Sequence, residues 1–214
     1  MMARPSLEVE VKFALESLVD IKKRLVEAGA TLTVPRTYET NARYDLPDGA
    51  LMQSRRTLRL RQDSRARLTL KGDPPSHVIS EAKVREELEL EVSDGSTMAL
   101  ILARLGFQEQ ERYVKYRETF ALDGVEVVVD ELPFGDFVEL EGQEACLREI
   151  AQRLGLEWSE RITESYLSLV QRFCRHHDVQ LSQFTFEAVR DTKAPLDDRS
   201  WLPGWSQREK GHAK

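Results

Sequence analysis

Apolar and charged residues alternate along much of this chain. In EVEVKF, residues 8–13, Glu8, Glu10 and Lys12 interleave with Val9, Val11 and Phe13. The alternation returns in TLRLRQ at 57–62, RLTLKG at 67–72 and KVREELELEV at 83–92. A period of two predicts strands with two unlike faces. TYETNARYD predicts another strand, ending in the turn Pro47-Asp48-Gly49. Three more strands are predicted at about 107–121, 124–131 and 136–142. Asp123-Gly124 makes the first hairpin turn between them; Pro133 and Gly135 mark the second. Helical spacing of Leu18, Ile21 and Leu25 follows an N-cap at Ser17 and stops at Gly29. Further helices are predicted at about 96–105, 143–154 and 163–174.

Eight antiparallel strands thus dominate. The polar face of an ordinary surface strand mixes serine, threonine, lysine and glutamate. Here one face carries concentrated charge on strand after strand. The acids are Glu8, Glu10, Glu87, Glu89, Glu91, Asp130, Glu139 and Glu141. The bases are Lys12, Arg59, Arg61, Arg67, Lys71, Arg85, Lys115 and Arg117. A sheet closed with these faces inward has a charged interior, and its apolar face needs a cover of helices. The expected fold class is α+β: an eight-stranded antiparallel β-barrel, or tunnel, clothed in helices.

Composition adds boundaries. The chain has 214 residues, 41% hydrophobic and 32% charged, with net charge −6. The apolar share suffices for a core, and the acidic balance argues against nucleic acid as partner. The two cysteines, Cys146 and Cys174, fall in helical segments and read as small core groups. His77, His176 and His177 show no metal-ligand spacing, and the pair at 176–177 reads as surface. MMARPSLEVE lacks an apolar signal region, and no stretch is long enough to span a bilayer. The expectation is a cytoplasmic protein without a membrane partner. The folded domain is expected over 1–174. Residues 175–214 are expected to form a tail, docked or partly disordered; Trp201 and Trp205 suit docking.

Buried charges need partners or a ligand. Arginine meets phosphate in bidentate geometry, and clustered carboxylates suit a hard cation, Mg²⁺ or Mn²⁺. A metal on one wall and arginines on the other suit phosphoryl chemistry. No P-loop motif is present.

The ordered set EVEVKF, LRLR at 58–61, LTLKG at 68–72, REELELEV at 85–92, VKYRETF at 114–120, DELPFGDFVELEG at 130–142 and TESYLSLV at 163–170 resembles the CYTH domain proteins, also called triphosphate tunnel metalloenzymes. The resemblance covers about residues 7–173. It implies a tunnel that binds a triphosphate-containing small molecule with a divalent metal. It implies Glu8, Glu10, Asp130, Glu139 and Glu141 as metal ligands. Arg59, Arg61, Lys71, Arg85, Lys115 and Arg117 would grip phosphates, and Lys12 would act at the reacting phosphorus, by activating water or by positioning phosphate. ARYD departs from the family pattern and leaves the direction of Tyr44 open. The expected activity is metal-dependent triphosphate hydrolysis. The alternatives are a class IV adenylyl cyclase, making cyclic AMP and pyrophosphate from ATP, and a non-catalytic polyphosphate- or nucleotide-binding module. A monomer or a homodimer is expected.

Overall fold

The computed structural model describes residues 6–203 and Trp205. Strand β1 (Ser6–Leu15) leads into α1 (Leu18–Glu27), whose first turn is capped by the Ser17 hydroxyl accepting from the Asp20 N–H. Then come β2 (Thr31–Asp45), the short α2 (Ala50–Gln53), β3 (Thr57–Gln62), β4 (Ala66–Gly72), β5 (Lys83–Val92) and α3 (Gly95–Arg104). The chain continues through β6 (Gln108–Leu122), β7 (Val125–Leu132), β8 (Gly135–Glu141), α4 (Glu144–Arg153) and α5 (Tyr166–His177). Asp123 and Gly124 both take positive φ, as a two-residue hairpin turn requires.

The strands run in the order β2-β3-β4-β5-β1-β8-β7-β6, and β6 returns to pair with β2. These eight neighbours are antiparallel, so the sheet closes. This is the barrel that the alternating strands predict. The core lies outside it. Val11, Phe13, Val127, Val129, Val138 and Leu140 pack with Ile21 and Leu25 of α1 and with Leu147, Ile150 and Ala151 of α4. Burial of each large apolar side chain there contributes about 1.5–3 kcal/mol. Across the barrel, Leu58 and Leu60 of β3 pack with Leu102 of α3. Tyr44 joins this outer cluster, so the ring faces away from the tunnel and Arg43 takes the inward position.

A third cluster closes the barrel at the end marked by the β7–β8 turn. Leu169, Val170 and Phe173 of α5 pack on Ala14, Phe134 and Phe137. Past α5 the chain stays in contact with this end. Strand β9 (Gln183–Phe184) pairs in parallel with Arg112 and Tyr113 of β6, and α6 (Phe186–Asp191) follows. Neither element has enough residues to show a period in sequence. Trp201 then packs against Phe134 and Phe173. Trp205 stands beside the Arg199 guanidinium. No helix among the described residues is long and apolar enough to cross a membrane.

Candidate active site

The alternation that puts valines and leucines under the helices puts the charges inside. A cavity of about 430 Å³ runs through the barrel, lined by every strand except β9. Its walls differ in sign. Strands β1, β8 and β7 contribute Glu8, Glu10, Glu139, Glu141 and Glu126. Register makes them neighbours: Glu10 pairs with Glu141, Lys12 with Glu139, and Glu126 with Glu141. Strands β3 and β4, separated from that wall by β5 on one side and by β2 and β6 on the other, contribute Arg59, Arg61, Arg67 and Lys71.

The acidic wall is only partly compensated. Burial disfavours ionised Glu10, but Lys12 and Lys83 outweigh it and hold the carboxyl down at about 2. Glu139, buried likewise, is held low by Lys12 and Arg117. Glu8 pairs with Lys71, yet burial and the charge of Glu10 leave it above the ordinary range. Glu141 has no ion-pair partner among the described residues. Burial first, then Glu8, Glu126, Glu10 and Glu139, push it up to about 7. Converging carboxylates with too few cations match the oxygen donors that a hard divalent ion takes.

A raised carboxyl pKa makes folding favour the proton. Between the ordinary value of 4.5 and about 7, the folded state holds protons on Glu141 that the unfolded chain has released. Metal-free protein should therefore lose stability as pH rises through that window. Thermal unfolding from pH 4.5 to 7.5, in chelator, tests this. Glu141→Gln should flatten the slope, and Mg²⁺ should flatten it in the unaltered protein. An unchanged slope in Glu141→Gln would show that the carboxyl is not raised.

Lys12 sits 2.7 Å from both Glu10 and Glu139, and its side chain is 2% exposed. Burial works against the ammonium, but the two carboxylates more than offset it and raise its pKa above the lysine range. A lysine held charged in this way donates hydrogen bonds and positive potential. In the metal-free protein it is not poised to take a proton from water.

The basic wall carries unspent donors. Nε and Nη2 of Arg59 and Nε of Arg61 and Arg67 are buried with no hydrogen-bond partner among the described residues. The charge of Arg59, then burial, lowers Arg61 to about 10. Two arginines that repel one another and keep free N–H groups suit a polyanion between them.

Two residues of the expected set are engaged by neighbouring protein groups in ways the sequence does not show. Asp130 is fully buried, and both its oxygens are taken: Oδ1 by Arg117, Oδ2 by Lys115, Arg117 and the Tyr166 hydroxyl. It anchors Lys115 and Arg117. Arg85 lines the cavity but donates to the carbonyls of Gly72 and Arg55, tying β4 to the loop before β3. Glu87 lies 3.2 Å from Lys71, and Glu89 accepts from the Thr69 hydroxyl and pairs with Arg61.

Several polar groups in or beside the tunnel go beyond the set read from sequence. Glu39 is buried between Lys115, Arg117 and Arg61, which outweigh burial and hold it low; Asn41 donates to it. Arg43 pairs with Glu111 and Asp45. Lys83 pairs with Glu10. Glu39, Asn41 and Arg43 share one parity in TYETNARYD, and Lys83 shares that of Arg85, so a strict period-two count finds them. Tyr166 has no such signal. It reaches the tunnel because α5 docks there, its ring 4.8 Å from the Lys115 ammonium and 5.2 Å from that of Lys12.

A family model, the CYTH domain, matches residues 6–174. The chain belongs to the CYTH domain family. A Methanocaldococcus jannaschii protein named "putative adenylate cyclase" is 27% identical over 175 residues, covering 76% of this chain and 98% of that one. Among solved structures, a "putative adenylate cyclase" from Vibrio parahaemolyticus superposes with TM-score 0.70 at 18% identity, over 78% of this chain and 98% of its own. A Hippeastrum protein, described as a putative adenylyl cyclase with a dominant triphosphatase activity, gives TM-score 0.55 at 19% identity, over 81% and 97%. At these identities the two structures bear on the fold alone. The match of the CYTH model ends within α5, at Cys174.

Proposed function

We propose that this CYTH protein is a Mg²⁺- or Mn²⁺-dependent triphosphatase that hydrolyses inorganic triphosphate or the terminal phosphate of an organic triphosphate. The observation that carries the reading is the pair of opposed walls: unpartnered arginine donors on β3 and β4, surplus carboxylates on β1 and β8. Glu8, Glu10, Glu139 and Glu141 would hold the metal, which supplies Lewis-acid polarisation of phosphate oxygen when bound. Asp130 keeps its anchoring role. Arg59, Arg61 and Arg67 hold the phosphate chain by charge-assisted hydrogen bonds. Lys115 and Arg117, fixed by Asp130, present positive charge at the capped end. Lys12 and Lys71 add point charges. Water attacks the terminal phosphorus, the bridging P–O bond breaks, charge grows on the leaving oxygen, and the proton that water loses passes to a phosphate oxygen. Prepositioned cations stabilise that charge without reorganising.

Phosphate release from triphosphate, ATP and thiamine triphosphate, with and without Mg²⁺ or Mn²⁺, tests the proposal. Metal-dependent release from at least one is expected. No release from any, with tight binding retained, would favour a binding module instead.

A second reading, cyclisation of ATP, has one observation in its favour. A cleft lined by Pro74, Val78, Ala82 and Val84 with the hydroxyls of Thr163, Ser165 and Ser168 shares Lys83, Arg85 and Ser165 with the tunnel. It offers room for a nucleoside beside the phosphates. Cyclic AMP and pyrophosphate as products from ATP would select this reading.

A further inference from the structure

Away from the tunnel, the end of α5 meets the tail. His176 and His177 close the helix, and Asp198 arrives from beyond α6. One side-chain ligand atom from each of the three lies within 4.8 Å of the others. Nε2 of His176 is 2.8 Å from Oδ2 of Asp198. The two imidazoles stand nearly perpendicular, at 86°, with centroids 4.7 Å apart.

Two details separate this group from an ordinary surface cluster. First, the carboxylate is already oriented. Oδ1 of Asp198 accepts from both the backbone N–H and the hydroxyl of Ser200, at 3.0 and 2.7 Å, which leaves Oδ2 to face His176. Hydrogen bonds of this kind fix the ligands of metal sites from behind. Second, Nε2 of His177 is buried and has no hydrogen-bond partner among the described residues. A buried imidazole nitrogen without a partner carries a desolvation cost that a bound ion would remove.

We propose that His176, His177 and Asp198 form a binding site for one divalent transition-metal ion, of the zinc, cobalt or nickel type. Two imidazoles and a carboxylate are the donor set these borderline ions take, with water completing the shell. The ion replaces the direct His176–Asp198 hydrogen bond. Ligand atoms of a tetrahedral site stand roughly 3.3 Å apart, given metal–ligand bonds of about 2.0–2.2 Å. The His176–Asp198 pair therefore opens by about half an ångström. Magnesium, which prefers an all-oxygen octahedron, suits the carboxylates of the tunnel instead.

The site would clamp the tail. Next to Asp198, Arg199 donates to the Leu15 carbonyl at the end of β1, and Trp201 packs on Phe134 and Phe173. The other two ligands lie on α5, which also carries Tyr166 into the tunnel. Metal binding thus fastens the tail across the helix that caps the barrel.

Cobalt titration of the full chain in excess Mg²⁺ tests the site. One equivalent of Co²⁺ should bind with visible absorption bands, Zn²⁺ should displace it, and Zn²⁺ should raise the unfolding temperature. His177→Gln and Asp198→Asn should each weaken binding by at least about tenfold, with circular dichroism unchanged. Glu8→Gln should leave it intact. Lack of saturable Co²⁺ binding, full binding in both variants, or its loss in Glu8→Gln would each overturn the proposal. Should one variant fail to fold, the other decides.

Discussion

Replacing Lys12 by methionine should lower turnover of triphosphate by about 10²–10³-fold, the usual effect of losing one prepositioned donor at a reacting centre. The same change should destabilise the metal-free fold. Glu10 and Glu139 would each lose an ammonium held 2.7 Å away in a buried site. Lys83 and Arg117 would remain to them, so the cost should lie near the lower end for a broken buried pair, about 3 kcal/mol. Because the folded pKa of Lys12 lies above its ordinary value of 10.5, this stabilisation is complete below pH 10.5 and fades only as pH climbs further. Single-turnover kinetics with bound triphosphate and urea unfolding at pH 7.5 measure the two effects. Lys12→Arg, which keeps the charge, should recover part of both. Turnover unchanged in Lys12→Met would remove Lys12 from the chemistry.

Arg61→Gln should do the opposite to stability. The charge of Arg59, together with burial, lowers the Arg61 pKa to about 10, so the charged form is strained in the fold at neutral pH. Removing that charge relieves the repulsion. Glu39 would keep Lys115, and Glu89 would keep the Thr69 hydroxyl. The unfolding temperature without ligand should rise by about 2 °C or more, the shift that roughly 1 kcal/mol produces in a chain of this size. The KM for triphosphate should rise by about 30-fold or more, since removing a charged hydrogen-bond donor from a buried site costs at least about 2 kcal/mol of binding. Triphosphate should then protect the variant less than the unaltered protein. A variant less stable than its parent would show that Arg61 is held by its acidic partners rather than strained by Arg59.

Much of this arrangement is legible in the sequence because strands write their faces in alternate letters. EVEVKF, TLRLRQ and KVREELELEV declare one apolar and one charged side, and closure follows from there being too many charged sides for one surface. The opposite parity of Tyr44 and Arg43 is equally local, but which of the two faces the tunnel is decided by the packing of Tyr44 in the outer cluster. What alternation cannot express is which charges satisfy one another. Asp130 has the chemistry of a metal ligand, and it also accepts from Lys115, Arg117 and Tyr166, which come from β6 and α5. Arg85 has the chemistry of a phosphate ligand, and its Nε and Nη2 also donate to two backbone carbonyls. Tyr166 and Asp198 reach their positions by the docking of one helix and the return of a tail, events with no local period.

The location of the apolar core outside the barrel has a consequence for how such a protein changes over time. In a globule whose core is central, a new ligand pocket must be carved from the groups that hold the fold together. Here Val11, Phe13, Val127 and Leu140 hold the staves against α1 and α4, while Lys12, Glu126, Glu139 and Glu141, which alternate with them, line the cavity. Exchanges on the inner face can alter what is gripped and whether it is split, hydrolysed or cyclised. The outer face can stay as it is. One scaffold can thus diverge into several chemistries by changing every second residue of a strand.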